Sequence, residues 1–129
     1  MEGLLRKLPI PVAALFLALA ATGNLVASYG SIYRNIFGII AGIFFILLLI
    51  KIIKYPRKIA EELKNPVVAS VFPAFSMGIM LIATYVKPLV PALGFILWIV
   101  GLVLHIILIL SFSRKFLVGF DIKKVFPSW

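Results

Sequence analysis

No charged side chain falls within any of the four apolar runs at residues 9–29, 35–50, 65–86 and 91–112. A helix needs about 20 apolar residues to cross the hydrocarbon core of a bilayer. Three runs meet that length alone. The second reaches it when Lys51 and Lys54 join its last turn and snorkel their amines to the interface. The runs are continuously apolar and do not alternate, which favours helices over barrel strands. The expectation is an all-α integral membrane protein with one transmembrane domain over 1–129. Its helices would lie at about 9–29, 35–54, 66–86 and 91–112, followed by a tail over 113–129.

Composition narrows the alternatives. With 129 residues, 64% of them hydrophobic, a soluble domain could not hide its apolar surface. The net charge of +9 does not point to nucleic acid, because the basic residues sit between apolar runs and not on a soluble face. There are no cysteines, so disulfides and thiolate metal sites are excluded. The start, with Arg6, Lys7, an apolar run and Ala18-Leu19-Ala20, resembles a secretory signal. Against that, no soluble domain follows, and cleavage would leave three spans with mismatched charge bias.

Charge placement sets the orientation. Arg6 and Lys7 precede the first span. Lys51, Lys54, Arg57, Lys58 and Lys64 surround the second loop, and Arg114, Lys115, Lys123 and Lys124 follow the fourth span. Only Arg34 and Lys87 lie at the other two loops. The positive-inside rule predicts a multi-pass protein of the cell membrane with both termini cytoplasmic. Gly30-Ser31 and Pro88-Leu89 mark tight external turns, so the chain reads as two helical hairpins joined by the loop KYPRKIAEELKN. That loop reads either as a solvated connector or as an amphipathic helical turn with Ile59 and Leu63 on one side. A shift of 55 residues places Pro11-Val12 on Pro66-Val67, Ala14 on Ala69 and Gly23 on Gly78, which suggests that the hairpins are repeats.

The hairpins pair unlike helices. The second and fourth runs are bulky and aliphatic, as lipid contact requires. The first and third carry Thr22, Asn24 and Ser28, then Ser70, Ser76 and Thr84, which are the candidate pore-lining residues. Pro11, Gly23, Pro73 and Gly78 are the candidate bend points. Pro73 removes a backbone donor and frees the carbonyl of Ala69, which must find another partner in protein or along an aqueous path.

The absent chemistry is informative. The spans hold no carboxylate, whereas proton-coupled exporters usually need one, and four-helix small multidrug transporters depend on a glutamate in the first helix. An anion pathway needs only hydroxyls, helix dipoles and nearby cations. His105 reads as an imidazole bonded between helices, or as a proton relay. One histidine without Cys, Asp or Glu makes no metal site. The sequence offers no nucleophile with its base and no phosphate loop, so neither an enzyme nor a cofactor is expected.

The stretch EELKNPVVASVFPAFSMGIMLIATYV resembles the third helix of the tellurite-resistance/dicarboxylate transporter family, through Asn65-Pro66-Val67, Phe72-Pro73 and Met77. LPIPVAALFLALAATGNL resembles the family's first helix, and DIKKVFPSW the lead into its fifth. The family includes C4-dicarboxylate or malate transporters and the plant slow-type anion channels. The resemblance implies ten helices in five hairpins around a pore, with bent inner helices ringed by outer ones. Only two hairpins are represented here, and the gating phenylalanine of the family's ninth helix has no counterpart. The expectation is a partial or truncated member that conducts small organic anions and needs the remaining hairpins or other copies to close a pore. The competing expectation is a membrane scaffold subunit that packs with partners and carries no ion.

Overall fold

The computed structural model describes residues 2–118, and every regular element among them is helical. The DIKKVFPSW segment, with Lys123 and Lys124, lies outside the described residues. Helix α1 is Glu2–Lys7, α2 Val12–Leu25, α3 Ser31–Lys54, α4 Pro56–Glu62, α5 Pro66–Val71, α6 Pro73–Val86 and α7 Pro91–Phe112. Proline opens α4, α5, α6 and α7, at the first-turn position where its missing N–H costs nothing. Asn65 caps α5 by accepting from the Val67 N–H at 3.0 Å.

Four spans are long and apolar enough to cross a membrane: Val12–Tyr29, Ser31–Lys54, Pro66–Val86 and Pro91–Leu117. The first ends in a 3-10 turn, Val26–Tyr29, and the chain reverses at Gly30, whose φ of 154° lies where only glycine sits without strain. Helix α3 therefore starts at Ser31, before the apolar run begins, and takes Arg34 into its first turn. The third span breaks at Phe72, between α5 and α6: Phe72 keeps helical dihedrals, φ −60° and ψ −32°, and its carbonyl accepts from the Phe75 N–H at 2.9 Å across the break. Ala69, which loses its donor at Pro73, lines a cleft of about 150 Å³ shared with Leu108, Ser111 and Lys115 near the end of α7. Beyond Phe112 the helix widens into a π-type turn, Ser113–Leu117, so the segment expected as tail begins helical. Arg114 and Lys115 sit there against the negative end of the helix dipole.

Helices α2 and α6 pack against each other at the centre, α3 flanks α2 and also touches α6, and α7 packs on α6. Their core is a group of phenylalanines. The Phe16 ring lies 5.6 Å from Phe45 and 6.2 Å from Phe75, and Phe75 stacks at 5.9 Å on both Phe45 and Phe72. Lipid tails are as apolar as these rings, so association rests on close packing and interhelical hydrogen bonds more than on exclusion of water. Glycine supplies the closeness. A Cβ at Gly78 would lie 2.1 Å from the Phe16 ring. Gly23 and Gly78 lie inside continuous helices, where their missing Cβ atoms admit the Tyr85 hydroxyl and the Phe16 ring. Pro11 precedes α2 and bends nothing within it.

The basic residues collect at one end, where α1 and α4 cover the ends of the spans. Lys51 was expected to reach the interface; instead it is fully buried. Its Nζ donates to the Leu8 carbonyl at 2.6 Å and to Glu62 at 2.9 and 3.1 Å. A buried ammonium is tolerable only when paired in this way. The carboxylate comes from α4, the loop segment with two open readings above; it is a helix with Ile59 buried.

Candidate functional site

At the opposite end, three helices converge on one polar seam. Thr84 stands near the end of α6, and its carbonyl would accept from residue 88 in a continuing helix. Residue 88 is proline, which has no N–H to give. Arg34, in the first turn of α3, supplies the donor: its Nη2 reaches the Thr84 carbonyl at 2.7 Å. Its Nε donates to Oδ1 of Asn24 at 3.3 Å. Asn24 Nδ2 donates to Thr84 Oγ1 at 2.8 Å, and the Thr84 hydroxyl donates to the Leu81 carbonyl at 2.7 Å. A guanidinium at the C-terminal end of α6 also meets the negative end of that helix dipole.

Tyr85 forms the floor of the seam. Its ring lies under the Arg34 guanidinium, with the central carbon 4.5 Å from the ring centroid. Its hydroxyl donates to the Ala20 carbonyl at 2.8 Å. The ring fits because two neighbours are glycines: a Cβ would lie 2.1 Å from the Tyr85 hydroxyl at Gly23 and 2.5 Å from its ring at Gly38. Arg34, Gly38 and Tyr85 line a groove of about 560 Å³, and Thr84 and Lys87 line a neighbouring cleft of about 350 Å³ with Trp98. The seam thus offers a cation pinned by two hydrogen bonds and a ring face, with further guanidinium N–H groups to give, whereas the Thr84 hydroxyl has already given its proton to Leu81. Such a cation is suited to receiving an anion.

The six candidates from sequence divide. Asn24 and Thr84 meet in the seam, although 60 residues separate them. Thr22 is half-buried and bonds back to the Ala18 carbonyl at 2.8 Å. Ser28 is exposed on the 3-10 turn. Ser70 bonds to the Val67 carbonyl of its own helix at 2.8 Å. Ser76 is fully buried toward α7, so it lines no open face. Its hydroxyl donates to the Pro73 carbonyl at 2.7 Å, which leaves its oxygen to accept from His105 Nδ1 at 2.9 Å. Arg34, Gly38 and Tyr85 escaped the sequence reading. The signal for Arg34 was the four-residue spacing of Thr84 and Pro88, which announces a carbonyl in need of a donor.

The uncovered faces also differ. Helix α2 exposes Ala14, Ala18 and Ala21 in helical register, continuing from Pro11 at its N-cap, with Leu15 and Leu25 beside them. Helix α3 exposes Ile32, Ile36, Ile39, Ile43 and Ile46, and α7 exposes Phe95, Ile96, Val100, Val103 and Ile107. Two hairpins therefore present short side chains on a central helix and bulky ones on both flanking helices. The sequence profile of the voltage-dependent anion channel family matches residues 7–129.

The chain belongs to the voltage-dependent anion channel family. No curated protein and no solved structure matches it. Membership agrees with the resemblance drawn from the helix motifs and places the chain among multi-span anion channels and transporters, a family of conductors and not of enzymes. In this member of the voltage-dependent anion channel family, the Arg34 seam lies where α2 and α6 end together.

Proposed function

We propose that the chain contributes two hairpins to a pathway for small organic anions, C4-dicarboxylates of the malate type, across the cell membrane, with both termini cytoplasmic. In this reading α2 and α6 are inner helices and face water, α3 and α7 are outer helices and face lipid, and further hairpins or copies complete the ring. The observation that carries the proposal is the pinned Arg34 at the end where α2 and α6 meet. Lys87 lines the adjoining cleft, so two cations stand near one mouth for a substrate with two carboxylates. Charges at a mouth raise the local concentration of counter-ions and speed their capture. The absence of a carboxylate from the spans also suits an anion path.

The test is flux of labelled malate into liposomes holding the complete protein, with Arg34→Gln beside it. The expected result is malate uptake above that of empty vesicles, reduced about tenfold in the variant, which corresponds to about 1.4 kcal/mol at the mouth. Uptake no greater than in empty vesicles rejects the proposal. If the protein then co-purifies stably with another membrane chain, the scaffold role takes its place.

A further inference from the structure

The basic end carries a second site that the transport reading does not use. Between α1 and α4 opens a cleft of about 610 Å³ lined by Arg6, Lys54, Tyr55, Arg57, Lys58 and Glu61. Its position is fixed by the last turn of α3: Lys54 is the final residue of a 24-residue apolar helix and Tyr55 follows it, so the cleft lies at the depth of lipid headgroups. Part of its charge is already spoken for. Lys54 pairs with Glu2 at 2.5 Å, and Lys58 donates to the Arg6 carbonyl. Arg6 and Arg57 are exposed and form no ion pair among the described residues. Two guanidiniums with no ion pair among the described residues, one from each wall, thus line a cleft at the membrane surface, and the Glu61 carboxylate of α4 shares its lining, so the cationic side chains outnumber the acidic one.

We infer that this cleft binds the headgroup of an anionic phospholipid, with Arg6 and Arg57 gripping the phosphate from two sides. Guanidinium suits the task because its fork of donors matches two phosphate oxygens at once. Lys54 and Lys58 are the internal struts: the first ties α3 to α1 through Glu2, and the second ties α4 to the end of α1. Of these ties, the one from Lys58 joins the two walls directly, and it uses the Arg6 backbone, leaving the Arg6 guanidinium to the cleft. Tyr55 places an amphipathic ring at the boundary between acyl chain and headgroup. A bound lipid would then clamp α1 and α4, and through Glu62 the buried Lys51, onto the ends of the hairpins.

Native mass spectrometry of the complete protein with equimolar phosphatidylglycerol and phosphatidylcholine tests the site. The wild type is expected to retain phosphatidylglycerol in preference. The double variant Arg6→Gln with Arg57→Gln is expected to weaken that retention about 30-fold, from roughly 1 kcal/mol for each basic residue near an anionic surface. Arg6→Gln keeps the backbone carbonyl that Lys58 uses, so the wall stays tied. The pair Lys7→Gln with Lys64→Gln removes equal charge from the same end outside the cleft and is expected to change retention less than threefold. The charge-retaining pair Arg6→Lys with Arg57→Lys should recover most of the loss, which separates lost binding from lost folding. Equal losses in the two glutamine pairs, equal retention of both lipids, or displacement by millimolar inorganic phosphate would each overturn the inference.

Discussion

Helices α2 and α3 are partners in one hairpin, drawn from the same apolar alphabet, yet they meet their surroundings differently. The open stripe of α2 is mainly alanine, whereas that of α3 is almost entirely isoleucine. The second hairpin repeats the contrast in another form: α6 is the most covered span and α7 the least. Side-chain size, and not hydrophobicity, separates central from flanking helices. The reason is physical. In lipid a large apolar side chain gains nothing by hiding, so burial is won by whichever helices let neighbours approach, and glycine and alanine decide that.

The contrast breaks most severely at its closest contact. Gly78→Ala places a methyl group 2.1 Å from the Phe16 ring, which is fully buried and cannot swing aside. The expected loss is about 2–3 kcal/mol, the upper range for overpacking, read as a lowered midpoint in thermal unfolding. Gly42→Ala on α3 is its counterpart, with nothing within 4 Å of the new methyl. It should hold the midpoint or raise it, since alanine favours a helix interior by up to about 1 kcal/mol. Equal losses at both positions would mean that the glycines are not where the helices are joined.

The seam between α6 and α7 should be weaker. Ser76→Ala removes the acceptor of the His105 Nδ1 proton. Interhelical bonds of this kind in membranes average about 0.6 kcal/mol, so a drop of less than about 1 kcal/mol is expected in the same unfolding assay. A loss as large as that of Gly78→Ala would make the Ser76–His105 bond, and not close packing, the principal tie between hairpin partners.

The exposed pair at the end of α3 should matter least. Hydrogen bonding to Lys54, and then its charge, holds the Glu2 carboxyl below the usual carboxylate range. A lowered folded value stabilises the folded state above the carboxylate's ordinary pKa, about 4.3, and that contribution fades as pH falls through the folded value. Wild type and Glu2→Gln should therefore differ slightly at neutral pH and converge in acid, as followed by unfolding midpoints across a pH series.

Sequence made the spans legible because length and hydropathy alone decide what can cross a bilayer. It made half of the seam legible, since Asn24 and Thr84 stood out as polar groups among apolar ones. Arg34 did not, because a cation near a turn looks like a loop charge until the Pro88 gap in the Thr84 ladder is noticed. Lys51 misled for a related reason. Snorkelling is a sound expectation for a lysine at a span end, and only tertiary structure brings Glu62 and the Leu8 carbonyl to it. Gly23 and Gly78 stand out in the sequence as flexible points, but only tertiary structure brings the aromatic rings that fill the space beside them.

The central claim, that the alanine stripe of α2 faces water while the isoleucine stripe of α3 faces lipid, can be tested by single thiols, since residues 1–129 hold no cysteine and any cysteine elsewhere in the complete protein is first replaced by serine. Single substitutions Ala18→Cys and Ile43→Cys place thiols near the middles of their spans. With the complete protein in membranes, a charged, membrane-impermeant maleimide is expected to label the α2 position and leave the α3 position untouched. Labelling at residue 43 with residue 18 sealed would contradict the account.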